Sequence, residues 1–195
     1  MLLGGDTVST PGPLTVSLTM LGWVPAGRMI RRGGARAGDL LMVSGVIGDG
    51  WLGLAAARGL VADADGYLAG RFRLPTPRLD LRGALRAGAS AAADGSDGLI
   101  ADAGHIARAS RVRLRLDLDA LPLSPAAQAW LAAQPDRLDA LRSLAVGGDD
   151  YEVVCTGSAP IPGFTVIGEV VAGEGVEAVY QGVAVDAGVG GWRHG

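Results

Sequence analysis

The sequence contains no lysine; all 17 of its basic residues are arginine. That absence excludes a Walker-A lysine, the strand lysine of protein kinases and any Schiff-base nucleophile. A phosphate site in this chain must therefore be built from arginine, backbone N–H groups and metal. Cysteine is confined to Cys155, in an apolar strand-like run from Tyr151 to Thr156, so an internal disulfide and a multi-cysteine zinc site are excluded. The thiol reads as a small buried hydrophobe. Histidine occurs only as His105 and His194, neither in a nucleophile-elbow or metalloprotease motif, which argues against a hydrolase triad. No apolar run reaches the ~18 residues of a membrane span. The start, Met1-Leu-Leu-Gly-Gly-Asp6, has neither the basic region nor the apolar stretch of a signal peptide, so a cytoplasmic location is expected. The formal net charge is −3 and the arginines are scattered, so neither nucleic acid nor membrane is expected as a partner.

What is present is a glycine-rich chain of 195 residues, long enough for one full domain, or for one domain and a fragment of another. Its centre is Asp94-Gly95-Ser96-Asp97-Gly98-Leu99, where a small-residue run ends and a helical pattern, Leu99 to Ser110, begins. Glycines at a strand-to-helix turn let backbone approach a ligand, and the helix's first N–H groups favour an anion such as phosphate. Carboxylates at the same turn suit phosphate only if Mg²⁺ bridges them. The same residues also suit a plain helix cap, with Asp97 or Ser96 accepting from free N–H groups. A second acidic turn, Gly147-Gly148-Asp149-Asp150-Tyr151-Glu152, passes from helix to strand; carboxylates so crowded are either solvated or bound to a cation or cationic ligand.

Around these turns the patterning reads as alternating helices and strands. The alternation Leu14 to Leu21 predicts a strand with one apolar face, and residues 1–24 then read as the tail of a domain whose beginning is absent. An arginine- and glycine-rich linker, Gly27 to Gly38, leads to a buried strand, Asp39 to Ser44, and a helix from Trp51 to Gly59. The glycines between them, in the order G-x-x-G-x-G, differ from the dinucleotide fingerprint and point to close packing. Helices are predicted over Arg78 to Ala87, from Pro125 to Ala133 behind Ser124, and after Asp136 up to Gly147. Strands are predicted over Val112–Leu118, Phe164–Val171, Val176–Tyr180 and Val183–Val185. His105 reads as structural, and Trp192 as either a core plug or a flat surface for a ring.

Taken together, five motifs in order resemble the thiamine-monophosphate kinases of the aminoimidazole-ribonucleotide-synthetase-like superfamily. They are Gly4-Gly5-Asp6-Thr7 with Pro11-Gly12-Pro13-Leu14, Arg32 to Asp39, Ser44-Gly45 through Asp49, Ser96-Asp97 through Ile106, and Gly147 to Glu152. The resemblance covers the entire chain. It implies an α+β fold, namely the C-terminal domain of that superfamily over residues 25–195, with a mixed, mostly antiparallel sheet and helices. Residues 1–24 would be a remnant of the N-terminal ATP- and Mg-binding domain.

The resemblance also implies ATP-dependent phosphorylation of thiamine monophosphate to thiamine diphosphate, with Mg²⁺ as cofactor and ATP as co-substrate. Asp6, Asp94 and Asp97 match metal ligands; Gly5, Asp6, Arg32 and Ser96 match nucleotide contacts; Asp149 and Trp192 match substrate contacts. No general base is assigned, since in-line transfer needs positioning and charge neutralisation more than a base. Asp149 stands where many relatives have glutamate, and Gly95 where they have a β-branched or apolar residue. Family members form a homodimer through the domain that is mostly absent here, so the alternative is a truncated, catalytically incompetent binding remnant. The hydrogenase-maturation relatives need a C-terminal cysteine, whereas this chain ends in His194-Gly195.

Overall fold

The computed structural model describes residues 3–187. From the first of these to about residue 39 the chain has no helix or strand. The strand expected over Leu14 to Leu21 is absent: Leu14, Val16, Leu18 and Met20 are all exposed, and none of the strands pairs with them. Alternation offers an apolar face, but a strand forms only where a neighbour takes its N–H and C=O groups.

The regular elements begin with β1 (Leu40–Ser44), α1 (Asp49–Ala57) and α2 (Tyr67–Arg73). A 3₁₀ turn (Leu79–Leu81), α3 (Arg82–Gly88), β2 (Ala91–Gly95), α4 (Leu99–Ser110) and β3 (Arg113–Asp117) follow. The chain continues through α5 (Pro125–Ala132), α6 (Arg137–Val146), β4 (Glu152–Gly157), β5 (Phe164–Val171), β6 (Gly175–Tyr180) and β7 (Val183–Val185). The strands form one sheet in the order β2-β4-β1-β5-β3-β6-β7. Every neighbouring pair is antiparallel except β3 with β6, whose parallel pairing spans the long excursion through α5, α6, β4 and β5. The sheet is thus mixed and mostly antiparallel with helices packed on it, as the α+β reading expects.

Alternate residues of β1 face opposite sides of the sheet, as the two-residue period requires. Leu41 and Val43 join Leu114, Leu116 and Ile167 against Ala103, Ile106 and Ala107 of α4 and Leu141 of α6. Met42 faces the other way, onto Cys155 and Ile161, with Ala84 and Leu85 of α3 beside them. At roughly 1.5–3 kcal/mol per fully buried aliphatic side chain, this packing, more than helix propensity, fixes the angle at which α4 leaves the sheet. Cys155 is sealed within the second cluster, and burial pushes its thiol up to about 12, in keeping with an inert apolar role.

Local signals set several boundaries. Ser124 Oγ accepts the Ala127 N–H at 3.1 Å, and Asp136 Oδ1 accepts the Asp139 N–H at 3.0 Å, so both expected caps are made. The helix expected from Arg78 starts later, as the 3₁₀ turn and then α3; the prolines at 75 and 77 hold only the residues before them extended. Helix α2 has no counterpart in the sequence reading; Asp63 makes it, accepting the Leu68 and Ala69 N–H groups at 3.0 and 2.9 Å. Among the described residues, no helix is long and apolar enough to cross a membrane.

Candidate functional site

The two acidic turns meet. The N–H of Asp149 donates to the Ser96 carbonyl at 3.0 Å, and that of Tyr151 to the Gly95 carbonyl at 2.8 Å. Between them the turns leave a cavity of about 780 Å³, lined by Trp51, Ser96, Asp97, Gly148, Asp149 and Tyr151 among others. Two glycines permit the approach. Gly98 holds φ +112°, and a Cβ there would strike the Val146 carbonyl; a Cβ on Gly148 would lie 2.5 Å from the Ser96 oxygen.

In the first turn, β2 delivers Asp94 and α4 begins at Leu99. The N-cap position falls on Gly98, which has no side chain to cap the helix, rather than on Ser96 or Asp97. Asp102, in the first turn of α4, reaches back instead: its Oδ2 accepts the Asp97 N–H at 3.1 Å. Asp97, Asp102 and His105 each offer a ligand atom within 4.8 Å of the others. Burial pushes the Asp102 carboxyl up to about 6, against the Asp97 N–H that it accepts and with a smaller push from the nearby Asp97 and Asp94 carboxylates. Of these donors, the Asp97 and Asp102 carboxylate oxygens suit a hard divalent cation such as Mg²⁺, whereas the His105 imidazole is not a ligand that such a cation favours. His105, expected to be structural, stands one turn along from Asp102 with its Nδ1 2.6 Å from Arg108 Nη2. The i, i+3 spacing of Asp102 and His105 beside Asp97 was the available signal for this group.

Arg32 is brought to the same turn by backbone. The Arg31 carbonyl accepts the Ala92 N–H at 3.0 Å, and Ser110 Oγ bonds the Arg32 carbonyl and the Gly34 and Ala35 N–H groups. The Arg32 guanidinium then lies 3.6 Å from Asp94, with both side chains largely in solvent. Gly5 and Asp6 belong to the exposed segment before β1; Asp6 accepts the Thr7 N–H at 2.8 Å and lies outside the three-residue ligand group. Trp192 lies outside the described residues.

In the second turn, Asp149 and Tyr151 both adopt left-handed backbone, at φ +66° and +53°. Each costs about 1–2 kcal/mol for a residue with a Cβ, and such outliers cluster where a site is built. Between them Asp150 is buried, its two oxygens accepting the Gly48 and Gly50 N–H groups at 2.8 Å each. Burial pushes its carboxyl up to about 7 in spite of these donors. Glu152 is also buried, accepting from Ser44 Oγ at 2.6 Å, Arg71 Nη2 at 3.1 Å and the Arg78 guanidinium. Of the three carboxylates, two are therefore satisfied internally by residues the sequence reading did not pair, and Asp149 is the one that lines the cavity. The glycines at the start of α1 serve close packing, as expected: a Cβ on Gly48 would lie 2.5 Å from Leu144, and one on Gly50 would strike the Asp149 backbone.

A seven-stranded sheet of this order, with a strand-turn-helix acidic loop meeting a helix-turn-strand one, defines a class. Residues 36–181 match the family described as AIR synthase related protein, C-terminal domain, and the chain belongs to that family. Its relatives narrow the resemblance to the thiamine-monophosphate kinases. It is 56% identical over 206 residues to thiamine-monophosphate kinase of Caulobacter vibrioides, a match covering 100% of this chain and 58% of the relative. The crystal structure of thiamine-monophosphate kinase from Stenotrophomonas maltophilia K279a superimposes with a TM-score of 0.70 at 37% identity, covering 83% of this chain and 56% of that one. AaThiL complexed with AMPPCP and TMP superimposes at 0.73 with 32% identity, covering 86% and 54%. The chain thus spans little more than half the length of these proteins.

Proposed function

We propose that this chain serves the ATP-dependent phosphorylation of thiamine monophosphate to thiamine diphosphate, in the cytoplasm. The observation that carries the reading is the joining of Asp97 and Asp149 around one cavity by the Asp149-to-Ser96 hydrogen bond. It is supported by similarity to proteins named thiamine-monophosphate kinase and to one whose structure holds AMPPCP and TMP.

In this reading Asp94, Asp97 and Asp6 hold Mg²⁺, and Gly5, Asp6, Arg32 and Ser96 contact the nucleotide. Asp149 and Trp192 contact thiamine monophosphate. The metal, when bound, supplies charge neutralisation between the approaching phosphates. Arg32 can exchange its weak pairing with Asp94 for a forked contact to phosphate oxygens. Asp149, fixed by its own N–H on Ser96, orients the acceptor against the first turn. The acceptor oxygen is already anionic, so no residue has to remove a proton. Residues 25–195 make up the C-terminal domain and residues 1–24 belong to the N-terminal one, through which the family's homodimer is formed.

The test is ADP formation by the purified chain with ATP, Mg²⁺ and thiamine monophosphate, beside Asp97→Asn. Turnover abolished by the substitution supports phosphoryl transfer by this chain. A folded chain that binds thiamine monophosphate without turnover is a binding remnant, and one that neither binds nor turns over overturns the reading.

A further inference from the structure

Trp51 lines the cavity from the first turn of α1, and its placement is more constrained than that of an ordinary surface aromatic. Its ring meets that of Trp130 at 5.6 Å between centroids with the planes at 79°, an edge-to-face packing. Below it, Gly147 has no side chain; a Cβ there would lie 2.5 Å from the Trp51 Cβ and 2.6 Å from its Cγ. The backbone on either side of Trp51 is pinned as well, the Leu52 N–H donating to the Gly48 carbonyl at 3.0 Å. The Gly50 N–H donates to Asp150, the immediate neighbour of Asp149, so one buried carboxylate sets the spacing between the indole and the Asp149 side of the cavity.

A ring held this way loses little rotamer freedom on binding, which raises affinity for whatever it meets. What it can meet follows from the rest of the lining. Asp149, the lining carboxylate that the metal does not take, makes this side of the cavity acidic, and Tyr151 adds a second aromatic wall, with its hydroxyl 3.5 Å from Asp149. Carboxylates beside aromatic faces select a flat ring that carries positive charge, since the indole face attracts cations and its apolar area covers the ring.

We propose that Trp51 is a specificity-determining residue that takes the cationic heteroaromatic ring of the substrate on its indole, with Trp130 as the buttress that holds it. This rests on the thiamine-monophosphate reading above and adds, among the described residues, an aromatic that meets the cationic ring beside the contact proposed for Trp192.

The experiment is binding of thiamine monophosphate in the presence of Mg²⁺, by calorimetry, to the wild-type chain, Trp51→Phe and Trp51→Leu, with thermal unfolding recorded for each. The expected result is about tenfold weaker binding for Trp51→Leu, which keeps apolar bulk without a π face, and binding within about threefold of wild type for Trp51→Phe. Nuclear Overhauser contacts between the Trp51 indole protons and the ring protons of thiamine monophosphate bound to the wild-type chain are expected too, and they need no variant to fold. Equal binding by the Leu and wild-type proteins, or an absence of those contacts in a saturated complex, overturns this inference and leaves the function standing. A folded wild-type chain that does not bind thiamine monophosphate overturns both.

Discussion

Asp149 donates its backbone N–H to the carbonyl of Ser96 at 3.0 Å, and that bond makes two distant acidic turns into one site. It is possible only because Gly148, next to Asp149, lets the Ser96 carbonyl come in: a Cβ on residue 148 would stand 2.5 Å from that oxygen. Gly148→Ala is expected to push the turns apart, costing about 1–3 kcal/mol as other overpacked contacts do. The check is urea denaturation together with calorimetry of thiamine monophosphate, and both stability and affinity should fall. A variant that keeps wild-type affinity would mean the spacing of the turns does not govern binding.

Asp149 is the carboxylate of its turn that faces the cavity, while Asp150 and Glu152 are occupied by internal donors. Asp149→Ala should therefore weaken thiamine monophosphate binding about tenfold to a hundredfold, the range of a charge-assisted hydrogen bond worth ~1.5–3 kcal/mol. Melting temperature should change little, because among the described residues the side chain bonds only the Tyr151 hydroxyl, at 3.5 Å. Calorimetry of the variant against wild type reads the first effect, and a thermal melt the second.

Much of this architecture was legible in sequence wherever a local device sets it. Helix α4 runs from Leu99 to Ser110 as its apolar face predicts, and β5 and β7 match their expected bounds. Ser124 and Asp136 cap as their residue types suggest, because a cap is decided within four residues. The strand at Leu14 to Leu21 was not realised, since periodicity reports a face and not a partner. The site divides the same way. Ser96, Asp97 and Asp149 could be picked out as members of acidic glycine turns, but that Asp150 would cap the start of α1, or that Arg71 and Arg78 would converge on Glu152, depends on tertiary contacts no spacing encodes. Trp51 was invisible as a cavity wall because its role is set by Gly147 and Trp130, far along the chain.

The Glu152 cluster yields a stability prediction. Its buried carboxylate takes Ser44, Arg71 and Arg78 at once, and the two arginine side chains are only 15% and 24% exposed. Truncating the acid leaves the Arg78 guanidinium partly desolvated without its counter-ion and Arg71 with only Asp49, at 4.0 Å, an effect of about 3–5 kcal/mol when one partner of a buried pair is removed. Glu152→Ala should lower unfolding free energy by that order, and Glu152→Gln by less, since the amide oxygen still accepts a bond. Equilibrium urea unfolding with unchanged m-values is the measurement; a loss below about 1 kcal/mol for Glu152→Ala would show that the arginines reach solvent instead.

Asp150 sets a pH dependence whose sign can be worked out. In the unfolded chain its carboxyl titrates near 3.9, whereas burial in the folded chain holds it at about 7. Between those values the folded state keeps a proton that the unfolded chain has released. The stability this contributes is fully present below about pH 4 and is lost as pH rises through 7. Wild-type unfolding free energy should therefore carry a falling component across that window, and Asp150→Asn, which does not titrate, should lose it. The variant should also be less stable at pH 8 by about 1–3 kcal/mol, because its amide NH₂ must face one of the Gly48 and Gly50 N–H groups that the carboxylate now accepts. Urea denaturation at one-unit steps from pH 4 to 8 separates the two effects. If the wild-type and Asn curves run parallel throughout, Asp150 is ionised across the whole window, and its two backbone donors outweigh the cost of its burial.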